Sequence, residues 1–334
     1  MSEPLRLIGS EMSPYTLKLR AFLRYKSIPF EWTERSVHNN ALFQKYAKVQ
    51  LIPLVLFPGN EAMQDSTPII ERLEAEHPEP SIHPEDPASC FLSALLEEYG
   101  DEWCNKLMFQ YRWGPKVDRW SSARRLTHLM LPRYPLRALR PVMTPVLIRR
   151  MVPRMAFAGA NATNLPHLRE SWFRTVEILE EHLAHRAYLF GGRPAFGDFG
   201  IWGNFNQAFS DPTCGEHLRA NAPAVVAWIE RMMDPRAAGD FEPLASLLPT
   251  LTALLEEQVA GRFLPWTVAN AHALEAGEPI TRLTFDGEPY EQKTFKYHAW
   301  SLAQLKAKLR PVASDPALRD VLDTTGCSPY LSDG

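Results

Sequence analysis

Leu5-Arg6-Leu7-Ile8-Gly9-Ser10, followed two residues later by Ser13-Pro14-Tyr15-Thr16, is the stretch whose reading decides the fold. Residues 5–9 alternate as a strand does. Leu17, Leu19, Phe22 and Leu23 then recur at spacings that suit a helix buried on a sheet, with Pro14 at its first position. Outward from this pair, Pro29 to Glu34 reads as a second strand and Ala41 to Lys48 as a short helix. Leu54 to Phe57 and Glu61 to Met63, joined by Pro58-Gly59-Asn60, read as a hairpin. Asp65 or Ser66 then caps a helix through Glu76. The order β-α-β-α-β-β-α predicts an α/β domain over residues 1–85, with a mixed four-stranded sheet.

His77 to Pro87 is proline-rich and reads as a linker. Beyond it, helical periodicity dominates in Phe91–Trp113, Leu165–Ala187, Phe196–Phe209, Pro223–Met233 and Phe241–Val259. These predict an all-helical second domain over 88–260. An extension over 261–334 holds a β-hairpin (Ile280–Phe285, then Tyr290–Tyr297) and a helix from Ser301 to Leu309. A lone hairpin is marginal in water, so the extension is expected to dock on the body through Phe285, Tyr290, Phe295, Tyr297 and Trp300.

With 334 residues and 45% apolar content, the chain can build sizeable cores, and no apolar run approaches the roughly 20 residues of a membrane span. The four cysteines show no metal-type spacing, so neither a metal nor a disulfide is expected. With no export signal read at the N-terminus, the expected location is cytoplasmic. Net charge is −3, but arginines crowd an insert at about 114–157, where the only acid is Asp118. Pro132, Pro135, Pro141, Pro145 and Pro153 break this insert into short helical pieces. It is expected to form a lid or pocket wall selecting an anionic or amphipathic substrate. Plain solvated surface and peripheral membrane contact are the alternatives, and nucleic acid is not an expected partner because interleaved aromatics are missing there.

The module order, Ser13-Pro14-Tyr15, Ile52-Pro53 and Asp65-Ser66 together resemble the cytosolic glutathione S-transferase superfamily, in its serine-type branch, over about residues 5–235. The resemblance implies a thioredoxin-like N-terminal domain, glutathione as co-substrate, a hydrophobic electrophile and a homodimer. It implies a cis Pro53 that presents the Ile52 backbone to the cysteinyl backbone of glutathione, a strand-type contact. Asp65 would take the γ-glutamyl ammonium and Ser66 its carboxylate at a helix N-terminus, with Gln64 helping and Lys48 reaching the glycyl carboxylate. Asp65 and Ser66 equally fill a plain helix cap, and Lys48 a solvated face.

Ser13 is the implied catalytic residue, its hydroxyl favouring the glutathione thiolate. Ser10 and Tyr15 are secondary. No cysteine precedes Cys90, which disfavours mixed-disulfide chemistry at the first helix. Tyr15, Tyr111 and Trp113 are candidates for the electrophile pocket. Glu97, Glu98, Asp101 and Glu102 read as a solvated helical face, with contact to glutathione across a dimer as the alternative. Two departures from the family pattern stand out: Ala195 replaces the hydroxyl residue three before Asp198, and Ala47-Lys48-Val49-Gln50 replaces the usual Asn-Pro. With the insert and the tail, they motivate an alternative, a non-catalytic glutathione-binding or scaffold protein.

Overall fold

The computed structural model describes residues 4–332. The N-terminal domain runs β1 (Leu5–Gly9), α1 (Pro14–Tyr25), β2 (Phe30–Glu34), α2 (Asn40–Tyr46), β3 (Leu54–Leu56), β4 (Ala62–Gln64) and α3 (Ser66–Glu76). The sheet order is β2-β1-β3-β4. β1 runs parallel to β2, with Leu7 opposite Trp32, and antiparallel to β3, with Leu7 opposite Val55. Leu7 and Val55 are fully buried in the main core with Leu19 and Phe22 of α1, while Ile8, Leu54 and Leu56 face Phe43 of α2 in a smaller one. The alternation of strand side chains thus clothes both faces of the sheet.

The helical region follows with α4 (Pro87–Tyr99), a π-helical turn (Gly100–Cys104), α5 (Asn105–Trp113), α6 (Lys116–Met130), α7 (Arg140–Met151), α8 (Leu165–Leu183), α9 (Phe196–Phe209), α10 (Pro212–Asn221) and α11 (Pro223–Arg231). The expected single helix over 91–113 is therefore interrupted by a π turn. There the rod lies in backbone contact with α9: a Cβ on Gly100 would stand 2.4 Å from the Gly200 carbonyl carbon. α9 also abuts α1, where a Cβ on Gly203 would stand 2.8 Å from the Pro14 carbonyl oxygen. Glycine at these crossings lets α1, the π turn and α9 close on one point.

Asp198 anchors α9, accepting hydrogen bonds from the amides of Ala195 and Leu189 and from Trp228 Nε1, each at 2.9 Å. Ala195 has no side-chain acceptor, so the capping motif is half present, as its sequence suggests.

The C-terminal part comprises α12 (Leu244–Ala253), a π-helical stretch (Leu254–Phe263), α13 (Leu264–Glu275), the hairpin β5 (Ile280–Phe285) and β6 (Glu288–Lys293), then α14 (Lys296–Leu309), α15 (Pro316–Thr324) and α16 (Ser328–Leu331). Helical structure runs unbroken from 244 to 275, so the boundary expected near 260 falls inside a rod. The hairpin turns through Asp286 (φ 53°) and Gly287 (φ 84°), the left-handed pair of a tight two-residue loop. Phe285 and Tyr290 pack on Trp103 with ring centroids 5.9 and 6.0 Å away. Of the expected docking face, these two are buried, Phe295 is half-buried, and Tyr297 and Trp300 are exposed.

Candidate functional site

A cavity of about 860 Å³ opens where the two domains and the tail meet. One side is the edge of the N-terminal domain: Tyr15, Val49, Leu51, Ile52, Pro53, Gln64, Asp65 and Ser66. Facing it, the π turn and α5 contribute Asp101, Glu102, Asn105, Lys106 and Phe109. Met151, Arg154, Phe157 and Ala158 come from the end of the basic insert, and Gln292, Phe295, Tyr297 and His298 from the tail. This combination of apolar wall and a few convergent polar groups is the usual make-up of a small-molecule site.

The N-terminal edge is tied down locally. The Ile52–Pro53 peptide is cis. The Gln64 side chain staples the preceding loop, accepting from the amides of Lys48 (2.8 Å) and Val49 (3.1 Å) and donating to the carbonyls of Val49 (2.9 Å) and Leu51 (2.6 Å). Asp65 precedes α3 with φ 81°. It accepts from the Tyr297 hydroxyl at 2.9 Å. Asp65 thus holds the N-cap position expected of it, and its carboxylate faces the Thr67 amide as well as the tail. Ser66 is buried, and its hydroxyl has no hydrogen-bond partner among the described residues.

Beneath the cavity lies a buried ionic cluster. Lys18 on α1 donates to Asp101 (2.6 Å), to Thr67 (2.8 Å) and to Glu97. Burial works against the Lys18 charge, but Asp101 and Glu97 outweigh it and raise the ammonium pKa. Glu98 accepts from Ser301, and burial, with Glu102 and Glu97 nearby, drives its pKa well above the carboxylate range. His298 Nδ1 lies 2.5 Å from Glu102. Burial opposes the Glu102 charge, yet His298 holds its pKa below the ordinary value. The acidic run is thus no solvated face. Glu97, Asp101 and Glu102 are buried, and each has a partner from α1 or the tail.

Residues 7–81 match the family model for the glutathione S-transferase N-terminal domain, and residues 156–231 the model for the glutathione S-transferase C-terminal domain. The chain carries matches to both domains of the glutathione S-transferases. It is 27% identical over 123 residues to glutathione S-transferase U8 of Arabidopsis thaliana, covering 35% of this chain and 54% of that protein. It is 24% identical over 129 residues to the probable glutathione S-transferase GSTU6 of Oryza sativa subsp. japonica, covering 36% and 54%. The chain thus spans about half the length of the curated relatives it matches. Among solved structures it is similar to the β-etherase LigF of Sphingobium sp. strain SYK-6 (TM-score 0.48, 20% identity, 69% of this chain and 95% of that one). It is also similar to the Tau class glutathione S-transferase of mango, Mangifera indica (TM-score 0.46, 17% identity, 70% and 89%).

Of the residues expected from this superfamily, the cavity brings together Tyr15, Ile52, Pro53, Gln64, Asp65 and Ser66. Ser13 is not among the residues that line the cavity: it is the N-cap of α1, 8% exposed, its Oγ accepting the Thr16 amide at 3.2 Å. The loop that delivers it is held by the helical domain: Arg112 donates to the Met12 carbonyl (3.1 Å) and Gln207 to the Glu11 carbonyl (2.9 Å). Arg112 belongs to no basic surface, being buried against Asp211. Tyr15 donates its hydroxyl to the Asp101 carbonyl at 3.1 Å, and burial, with Glu102 and Asp101 adding to it, pushes its pKa well up.

Lys48 is exposed and lies outside the cavity lining. Tyr111 and Trp113 are also off the cavity, Tyr111 packing on Trp172 with centroids 5.6 Å apart and Trp113 buried beside Phe109. Phe109 takes the pocket position instead. It follows Asn105 by one helical turn, whereas a residue two further along α5 points away.

Proposed function

We propose that this chain is a glutathione-dependent transferase acting on a hydrophobic electrophile. The observation that carries this reading is a single cavity joining the Ile52–Pro53 and Gln64-Asp65-Ser66 edge to the apolar wall of Phe109, Met151, Phe157 and Phe295. On this reading the Ile52 backbone pairs with the cysteinyl backbone of glutathione, and the open amides of α3 with the Ser66 hydroxyl take the γ-glutamyl carboxylate. Asp65 takes the ammonium, Gln64 keeps the loop in place, and Lys48 serves the glycyl carboxylate only after its side chain swings inward.

Ser13 is assigned to the sulfur. Its oxygen accepts the Thr16 amide, which leaves the hydroxyl hydrogen to donate. A thiol with an ordinary pKa of about 8.5 is mostly protonated at neutral pH, and such a donor at a helix N-terminus favours the thiolate. The thiolate forms a C–S bond to the electrophile, and the leaving group departs with the bonding pair. Tyr15, held as a neutral phenol, borders the electrophile. Titration of the full chain with glutathione, followed by turnover with a panel of electrophiles, tests this. Absence of glutathione binding overturns it. Sedimentation of the same sample reports whether the homodimer of the superfamily forms.

Asp65→Asn is expected to weaken glutathione binding by about 1.5–3 kcal/mol, the scale of a hydrogen bond to a charged group. Asparagine tolerates the left-handed backbone at this position and keeps a side-chain oxygen for the Tyr297 hydroxyl, so the melting temperature should hold. Calorimetry beside a thermal melt checks both. A melting shift with unchanged affinity would assign Asp65 to structure alone.

A further inference from the structure

Lys106 is absent from the machinery above, yet its side chain forms part of the cavity wall. It is 2% exposed. Its Nζ donates to Gln292 Oε1 at 2.6 Å and sits 3.5 Å from the centroid of the Trp266 ring. Tyr290 also donates to that Gln292 oxygen, at 3.1 Å. The cavity's carboxylates are engaged elsewhere, Asp101 by Lys18, Glu102 by His298 and Asp65 by Tyr297. Among the described residues Lys106 makes no ion pair, and the same holds for Arg154 at the end of the basic insert. The same cavity is also lined by the aromatic and apolar side chains of Phe109, Met151, Phe157 and Phe295.

A buried ammonium without a counter-ion is costly to keep. Here burial depresses its pKa to about 7, against the opposing pull of Glu102. Hydrogen bonding to Gln292 and the face of Trp266 compensate in part and leave donor capacity unused. An arriving anion would supply the missing counter-charge.

We propose that Lys106 and Arg154 form an anion-recognising wall in the electrophile half of the cavity, and that the co-substrate is an aromatic electrophile bearing a carboxylate. The carboxylate accepts from Lys106 Nζ, with Arg154 drawing it in from the rim, while the ring lies among the phenylalanines. This rests on the transferase reading for the words co-substrate and electrophile. The anion site itself stands on the cavity alone.

The test uses the full chain without glutathione, titrated by calorimetry with 2-naphthoate and with the uncharged 2-naphthamide. The acid is expected to bind at least about 10-fold more tightly, the scale of one charge-assisted contact. Lys106→Met should abolish that preference, Lys106→Arg should keep it, and Arg154→Ala should reduce it several-fold. Because Lys106 also ties α5 to the hairpin, the arginine variant and the exposed Arg154 variant keep the test meaningful if the methionine variant fails to fold.

Protonation gives a second readout. A carboxylate bound to an amine of pKa near 7 raises that pKa, so binding at pH 7.5 takes up part of a proton. Glu102 from the π turn, Tyr290 from β6 and His298, which packs on the other partner ring Trp266, are the titratable groups around it. Uptake measured in two buffers of different ionisation enthalpy should vanish in Lys106→Arg, a permanently charged replacement, which assigns it to Lys106 rather than to its neighbours. Equal affinity for acid and amide, or full preference in Lys106→Met, overturns the proposal. Acid preference without glutathione binding upholds the anion site and removes the transferase reading. Glutathione binding without acid preference does the reverse.

Discussion

Ser13→Ala is expected to lower glutathione-dependent turnover by about 10–1000-fold, the loss seen when one donor to a developing or resident anion is removed. Glutathione affinity should change little, since the hydroxyl is assigned to sulfur alone and the contacts proposed for the rest of glutathione are those of Ile52, Asp65 and Ser66. The variant also loses the N-cap of α1, at a cost of about 0.5–2 kcal/mol, so turnover must be compared well below its melting temperature. The pH profile separates the two effects. Loss of the sulfur donor moves the ascending limb of the rate towards the ordinary thiol pKa, whereas loss of a cap does not. Unchanged turnover would move the role to Tyr15, which lines the cavity, or to Ser10.

The second large effect is on stability. Lys18→Met should cost about 3–5 kcal/mol, the penalty for leaving buried charge uncompensated, because Glu97 and Asp101 lose the cation both of them bond. Urea unfolding reads this directly. Burial raises the Asp101 pKa to about 8 even beside Lys18, and loss of the cation raises it further, so the gap to the parent protein should narrow as pH falls towards 8. In that range the folded variant binds a proton that the folded parent does not yet bind, while these acids titrate alike in the two unfolded chains. A gap that stays constant with pH would mean that lost packing of the lysine stem, not charge, sets the penalty. Since Lys18 also bonds Thr67 in the first turn of α3, the variant should loosen the edge that carries Asp65 and Ser66.

The parts of this molecule that were legible in sequence are those whose cause is local. The strand at Leu5–Gly9, the Ser13-Pro14 helix start and the turn residues around Gly59 are each determined by neighbours a few positions away. Ile52, Pro53, Gln64, Asp65 and Ser66 were legible as a group because they follow one another along one edge of the sheet. The acidic run was misread because charge at 97, 98, 101 and 102 looks like a wet face when its partners lie far off in the chain. One signal was present: Lys18 falls inside the apolar pattern of α1, between Leu17 and Leu19, where a lysine is tolerated only if paired. Lys106, Gln292 and His298 carried no sequence signal at all. Each is an ordinary polar residue until the tail folds across α5. The insert was half legible, since Met151, Arg154 and Phe157 do wall the cavity, whereas Arg140 spends its guanidinium on the Leu131 carbonyl and Arg137 stacks on Tyr134.

The hydrogen bond from Tyr297 to Asp65 spans 232 positions of chain, and that from Ser301 to Glu98 spans 203. Chains fold from the N-terminus as they leave the ribosome. The sheet and α3 can therefore settle while the last of these partners has not yet been translated, and Asp65 then meets only water. The cavity becomes whole only once Gln292, Phe295, Tyr297 and His298 have been made. A prematurely terminated chain would keep the superfamily core and lack the tail's share of the binding wall.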